Sequence, residues 1–139
     1  MDGRRSERVG RRVKAIADTH ALIWWLNGDS QLSKVAERFI RSSVNEILVS
    51  AATAWELSIK NRSGKLDVQP LLDQFEQAME QQGFDLLPIS IDHALRAGAL
   101  PLHHSDPFDR MLVAQAQAEN VALITSDKAF TPYGIRCIW

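Results

Sequence analysis

Apolar residues along this chain follow two spacings. Short runs rich in apolar residues fall at residues 13–17, 46–50, 84–89, 121–125 and 135–139, each of strand length. Between them, apolar residues recur every three or four positions, as on one face of a helix. That spacing predicts a first helix carrying Ala21, Leu22, Trp25 and Leu26, and a second over 32–43 carrying Val35, Ala36, Phe39 and Ile40. Further helices are predicted over 51–62, 71–82, 91–97 and 107–119, with a short one over 127–130. The punctuation agrees. Asn27-Gly28-Asp29-Ser30 stops the first helix, Ser63-Gly64 ends the one over 51–62, and Gly83 closes the one that Pro70 opens. Pro107 sits where a proline starts a helix, and Pro88 marks its run as an edge strand or a strand end. Buried strands alternating with amphipathic helices predict an α/β protein: a three-layer α/β/α sandwich around a central, mainly parallel sheet. Residues 1–13 are polar and charged with no period, and read as a disordered leader or extension; residues 14–139 read as one domain.

Composition narrows the function classes. A chain of 139 residues and 15.6 kDa is about one domain's length. No apolar run approaches the ~18 residues a membrane span needs, and the N-terminal arginines are not followed by the apolar core of a secretory signal. Cys137 is the only cysteine, which excludes a disulfide framework and a zinc site of several thiolates. A reducing cytosol is the expected compartment. Net charge is −1, yet residues 1–14 hold six bases and two acids, and the remainder is acidic. An acidic body with a basic tail is not the footprint of a non-specific nucleic-acid binder. No phosphate-cradling glycine loop is present.

In open α/β sheets, ligands bind beyond the carboxyl ends of the strands. Four acids fall near helix starts at that end. Asp18 follows the first strand, Glu56 lies one turn into the helix after the second, Asp109 is in the first turn after Pro107, and Asp127 follows the 121–125 strand. Each has an ordinary structural explanation. Asp18 and Asp127 suit helix caps, Asp109 suits a helix dipole, and Glu56 is spaced for an i,i+4 pair with Lys60. Taken together, four crowded carboxylates repel unless they share a cation. Hard oxygen donors without thiolates select Mg²⁺ or Mn²⁺, and such ions activate water for phosphodiester hydrolysis.

Four segments carry a family resemblance. Residues 16–26, IADTHALIWWL, end the first strand on Asp-Thr; residues 50–66 read SAATAWELSIKNRSGKL; residues 106–116 read DPFDRMLVAQA; residues 123–130 read LITSDKAF. In order and spacing they resemble PIN-domain ribonucleases, and within these the VapC-type toxins of toxin–antitoxin pairs, over about residues 14–139. The resemblance implies a metal-dependent endoribonuclease whose metal-binding acids are Asp18, Glu56, Asp109 and Asp127, supported by Thr19, Thr125 and Ser126. It implies Mg²⁺ (or Mn²⁺) as cofactor, RNA as substrate, inhibition by a cognate antitoxin, and a homodimer. The leader departs from the family pattern, whose members commonly start close to the first strand.

Other residues rank lower. His20 reads as a surface position of the first helix. His103 and His104 neighbour Asp106 like a metal cluster, but adjacent histidines in a loop point apart, so they read as loop residues lining an RNA groove. Asp106 reads as the cap of the helix at Pro107, Arg110 as structural, and Lys60 as either a phosphate contact or the partner of Glu56. Trp25 fits a core face; Trp24 and Trp55 fit core or interface, with base stacking as the rival use. Cys137 reads as inert packing. Two alternatives stand beside the nuclease: a non-catalytic α/β binding module whose acids are caps and surface pairs, and a receiver-like fold, which wants an acid pair that Asp18-Thr19-His20 does not supply.

Overall fold

The 14–17 run, KAIA, forms the central strand of the sheet because it is buried on both faces and paired on both edges. The structure, a computed structural model, describes residues 12–139. The leader read over 1–13 lies, for residues 1–11, outside the described residues. The elements run β1 (Lys14–Ala17), α1 (Thr19–Asn27), α2 (Lys34–Arg41), β2 (Glu46–Ser50), α3 (Ala51–Arg62), α4 (Gln69–Asp73), α5 (Phe75–Gln82), β3 (Asp85–Leu87), α6 (Ile91–Ala99), α7 (Pro107–Glu119), β4 (Ala122–Ile124), a 3₁₀ helix (Lys128–Tyr133) and β5 (Cys137–Ile138). All strand pairs are parallel, in the order β3-β2-β1-β4-β5. This is the expected α/β/α sandwich. A flavodoxin-like receiver would run 2-1-3-4-5, so the strand order sets that alternative aside.

Strand periodicity divides the core in two. Ala15, Ala17, Ile47, Val49, Ala122 and Ile124 face one layer, with Leu22, Ala36, Ile40 and Met79 from α1, α2 and α5. Ile16 and Leu123 face the other, against Leu112, Val113 and Ala116 of α7 and Phe130 of the 3₁₀ helix. Successive side chains on one strand thus serve opposite layers.

Most helix starts are set by side-chain caps; α4 and α5 have none. Ser33 Oγ accepts from Ala36 N–H at 3.0 Å, and Ser50 Oγ accepts from Ala52 N–H at 3.0 Å. Ser90 and His93 form a reciprocal capping box on α6. Gly28 ends α1 at φ 62°, a left-handed turn that suits glycine.

Three elements depart most from the sequence reading. The helix expected over 71–82 is two helices, broken where Gln74 leaves helical backbone at φ −135°, ψ 37°; no Gly or Pro marks the break. The run at 84–89 pairs only over Asp85–Leu87, stopping before Pro88, at the sheet edge. The short helix at 127–130 extends as a 3₁₀ helix to Tyr133. Among the described residues no helix is long and apolar enough to cross a membrane.

Candidate functional site

The chain leaves β1 toward β2 and β3, then crosses back to place β4 on the other side of β1. The crevice at such a reversal, beyond the carboxyl ends of the strands, is where α/β sheets bind ligands. Asp18 ends β1 there and Thr125–Asp127 follow β4, so both banks of the crevice carry acids. A cleft of about 110 Å³ opens at this point, and its lining includes Asp18, Thr19, Glu56, Asp109, Ser126 and Asp127, together with His20, Lys60, Asp106 and Phe130.

The ordinary explanations of the acids prove half true. Asp18 does cap α1: its Oδ1 accepts from Ala21 N–H at 2.8 Å. Asp127 caps the 3₁₀ helix, its Oδ1 accepting from Ala129 N–H at 2.9 Å. Each cap occupies one carboxylate oxygen. Glu56 does pair with Lys60, at 2.8 Å, but it is no surface pair: Glu56 is 5% exposed and also accepts from the Thr19 hydroxyl. Asp106 Oδ1 accepts from Phe108 and Asp109 N–H, at 2.8 and 3.1 Å. With that cap in place, the Asp109 side chain is not needed to start α7.

The electrostatics show a deficit of positive charge. Burial pushes the Asp109 carboxyl up to about 7, helped by Asp106, Glu56 and Asp18 and opposed by His104. Burial also raises Asp18, against hydrogen bonds from the Thr125 hydroxyl and Ala21 N–H. Thr125 reaches the acid on the other bank as well, since its Oγ1 accepts from Asp127 N–H at 3.0 Å. The donor set is carboxylate oxygen throughout. It fits a small hard divalent cation, whose charge would offset the burial and the neighbouring acids that raise Asp109.

The sequence reading underused one residue. The two loop histidines do point apart. His103 meets Tyr133 edge-on, while His104 turns into the site, its Nε2 3.1 Å from Asp109 Oδ2 and 3.2 Å from Asp127 Oδ2. These three residues are a group able to approach one ion. Arg110 is structural, but it does not pair with Asp109. Its guanidinium donates to the carbonyls of Ala97, Leu100, Pro101 and His104. His20 lies on the surface, stacked on Trp24 with ring centroids 5.5 Å apart. Trp25 is half-buried against the core, its Nε1–H donating to Gln82 at 2.9 Å. Trp55 is 61% exposed, edge-on to Phe108 with ring centroids 5.1 Å apart. Cys137 lies exposed on edge strand β5, not in packing.

The family model described as PIN domain matches residues 15–134. Among solved structures, a chain of a toxin–antitoxin complex from Klebsiella pneumoniae is 24% identical with TM-score 0.59, covering 84% of this chain and 89% of that one. A chain of VapBC2 from Rickettsia felis, bound to a DNA fragment from its promoter, is 15% identical with TM-score 0.65, covering 90% and 97%. A chain of VapBC-1 from nontypeable Haemophilus influenzae is 18% identical with TM-score 0.63, covering 90% and 96%. At these identities the structural likeness is one of fold. Among curated proteins, none is matched by this chain's sequence.

Proposed function

This chain belongs to the PIN domain family, and from that premise we propose that it is a metal-dependent endoribonuclease acting as the toxin of a toxin–antitoxin pair. The observation that carries the proposal is the cleft itself. Four carboxylates from four separate segments, Asp18, Glu56, Asp109 and Asp127, converge on one crevice, where burial first and neighbouring acids second push the Asp109 carboxyl up to about 7. Caps and surface pairs of a non-catalytic module have no reason to bury Glu56 or to crowd Asp109.

Asp18, Glu56 and Asp109 hold the principal Mg²⁺ or Mn²⁺, and Asp127 completes the site. The bound cation supplies an activated water and charge relief for the leaving oxygen of an RNA phosphodiester. The protein's own groups orient the acids. The Thr19 hydroxyl and Lys60 aim the two oxygens of Glu56, and the Thr125 hydroxyl ties Asp18 to the backbone of Asp127. Ser126 lines the same wall. Lys60, a third exposed at its side chain and lining the cleft, is the proposed contact for the substrate phosphate.

A cognate antitoxin is the proposed inhibitor, covering the cleft in the cytoplasm. The matched folds come from complexes of toxins with antitoxins. A homodimer is the proposed assembly. Ile91 and Leu95, one turn apart on α6, are 78% and 71% exposed and give a second copy an apolar stripe to cover.

The test is cleavage of total RNA by the purified chain. Cleavage requires Mg²⁺ or Mn²⁺, stops with EDTA, and is lost in Asp18→Asn. Cleavage that survives both chelation and that substitution would belong to a contaminant or to another site, and the proposal would fail.

A further inference from the structure

His104 is held from every side. Its backbone N–H donates to the Tyr133 hydroxyl at 2.9 Å, its carbonyl accepts from Arg110 at 3.3 Å, and its ring leans on Phe130 with centroids 5.4 Å apart. The ring nitrogens decide what it can do. Nδ1 accepts from the Asp106 backbone N–H at 3.2 Å, so it carries no hydrogen. The ring hydrogen therefore sits on Nε2, which faces Asp109 Oδ2 and Asp127 Oδ2 at 3.1 and 3.2 Å. A metal-ligating imidazole is wired the other way: it offers a bare nitrogen to the ion and donates its second N–H to an acceptor. Swapping the tautomer here would aim an Nδ1 hydrogen at the Asp106 N–H.

We propose that His104 is a positioning residue of the cleft and not a metal ligand: its Nε2–H hydrogen-bonds Asp127 Oδ2 at 3.2 Å while the same nitrogen stands 3.1 Å from Asp109 Oδ2, and this one ring sets the spacing of the two oxygens. The inference rests on the cleft being a metal site. Asp109 comes from α7 and Asp127 from the segment after β4, and among the described residues no other side chain stands within 3.2 Å of both carboxylates. The cap on the 3₁₀ helix fixes only Oδ1 of Asp127. His104 supplies the fixed donor for Oδ2, the oxygen on the cleft side.

The experiment measures Mn²⁺ affinity by EPR titration in the full chain and in His104→Ala, His104→Gln and His104→Asn, with metal-free melting as the check on folding. Removing a residue that orients ligands costs roughly 10–100-fold in metal affinity, and His104→Ala should fall in that range. Gln carries an N–H donor to the place of Nε2 and should restore most of the loss. Asn places its amide where Nδ1 was, too short for the acids, and should behave like Ala. Pulsed EPR of Mn²⁺ on the unsubstituted chain should show no imidazole nitrogen coupled to the ion. A nitrogen coupling that disappears in His104→Gln makes His104 a ligand and overturns the proposal. Equal affinity in all four proteins overturns it too, while leaving the metal site standing. Failure of the unsubstituted chain to bind Mn²⁺ would instead overturn the metal site, and this inference with it.

Discussion

Two acids of the cleft combine a structural bond on one oxygen with a place in the site. Asp18 and Asp127 give one oxygen to a helix start and keep the other, so cap and ligand are compatible uses of one side chain. Asp109 is free of the capping duty, because Asp106 holds it. Asp109→Asn should therefore abolish Mg²⁺-dependent RNA cleavage without weakening the fold, and the metal-free variant should melt at or above the wild-type temperature. The pH dependence has a definite sign. The folded Asp109 carboxyl titrates at about 7 against 3.8 for the ordinary group, so between those values the folded state binds more protons than the unfolded one. Metal-free stability then falls as pH rises through that window. Each pH unit is worth at most about 1.4 kcal/mol, a ceiling near 4 kcal/mol. Asp18, also raised, adds to the same trend. Urea melts across the window should show the slope in wild type and a flatter one in Asp109→Asn; a wild-type stability that climbs with pH would contradict it. The acids were legible in the sequence because each abuts a strand end or helix start that periodicity locates. His104 was not. Residues 100–106 carry no periodic pattern, and a ring's direction in such a loop depends on what anchors the loop.

That anchor belongs to the element scale. Arg110, in the first turn of α7, spreads its guanidinium over the carbonyls of Ala97 and Leu100 at 2.9 and 2.8 Å and those of Pro101 and His104 at 3.0 and 3.3 Å. It closes the carboxyl end of α6 and pins the following loop to α7. A lysine ammonium is a single point and cannot span this fork. Arg110→Lys should cost on the order of 2–4 kcal/mol, since several charge-assisted bonds are lost. Amides at residues 100–106 should then exchange faster by hydrogen–deuterium exchange. Unchanged exchange there would mean that Tyr133, whose hydroxyl donates to Pro101 O at 2.8 Å, holds the loop alone. The fold's elements were legible because strands and helices here differ so plainly in period. The break at Gln74 was not, since Leu71 and Phe75, on either side of it, keep helical spacing and both pack on one core. Periodicity registers which face is buried; it is blind to a local bend that preserves the face.

At the scale of the molecule, the described residues close the sheet on their own. β1 is paired on both edges, and Arg12 reaches Glu46 only through an exposed ion pair at 3.3 Å, a kind worth about 0–1 kcal/mol. Removing residues 1–11 should leave the melting temperature and RNA cleavage unchanged; a marked loss of either would show that the leader serves the domain. The sheet order carries a further consequence, for biosynthesis. A nascent chain folds from its N-terminal side as it emerges, and β2 and β3 can take their places beside β1 early. The other edge of β1 stays bare until residues 122–124 arrive, and with them the wall that bears Asp127. A product of stalled or interrupted translation that ends before that strand has three of the four acids but no closed cleft. Fragments that end before β4 therefore never assemble the four-acid cleft.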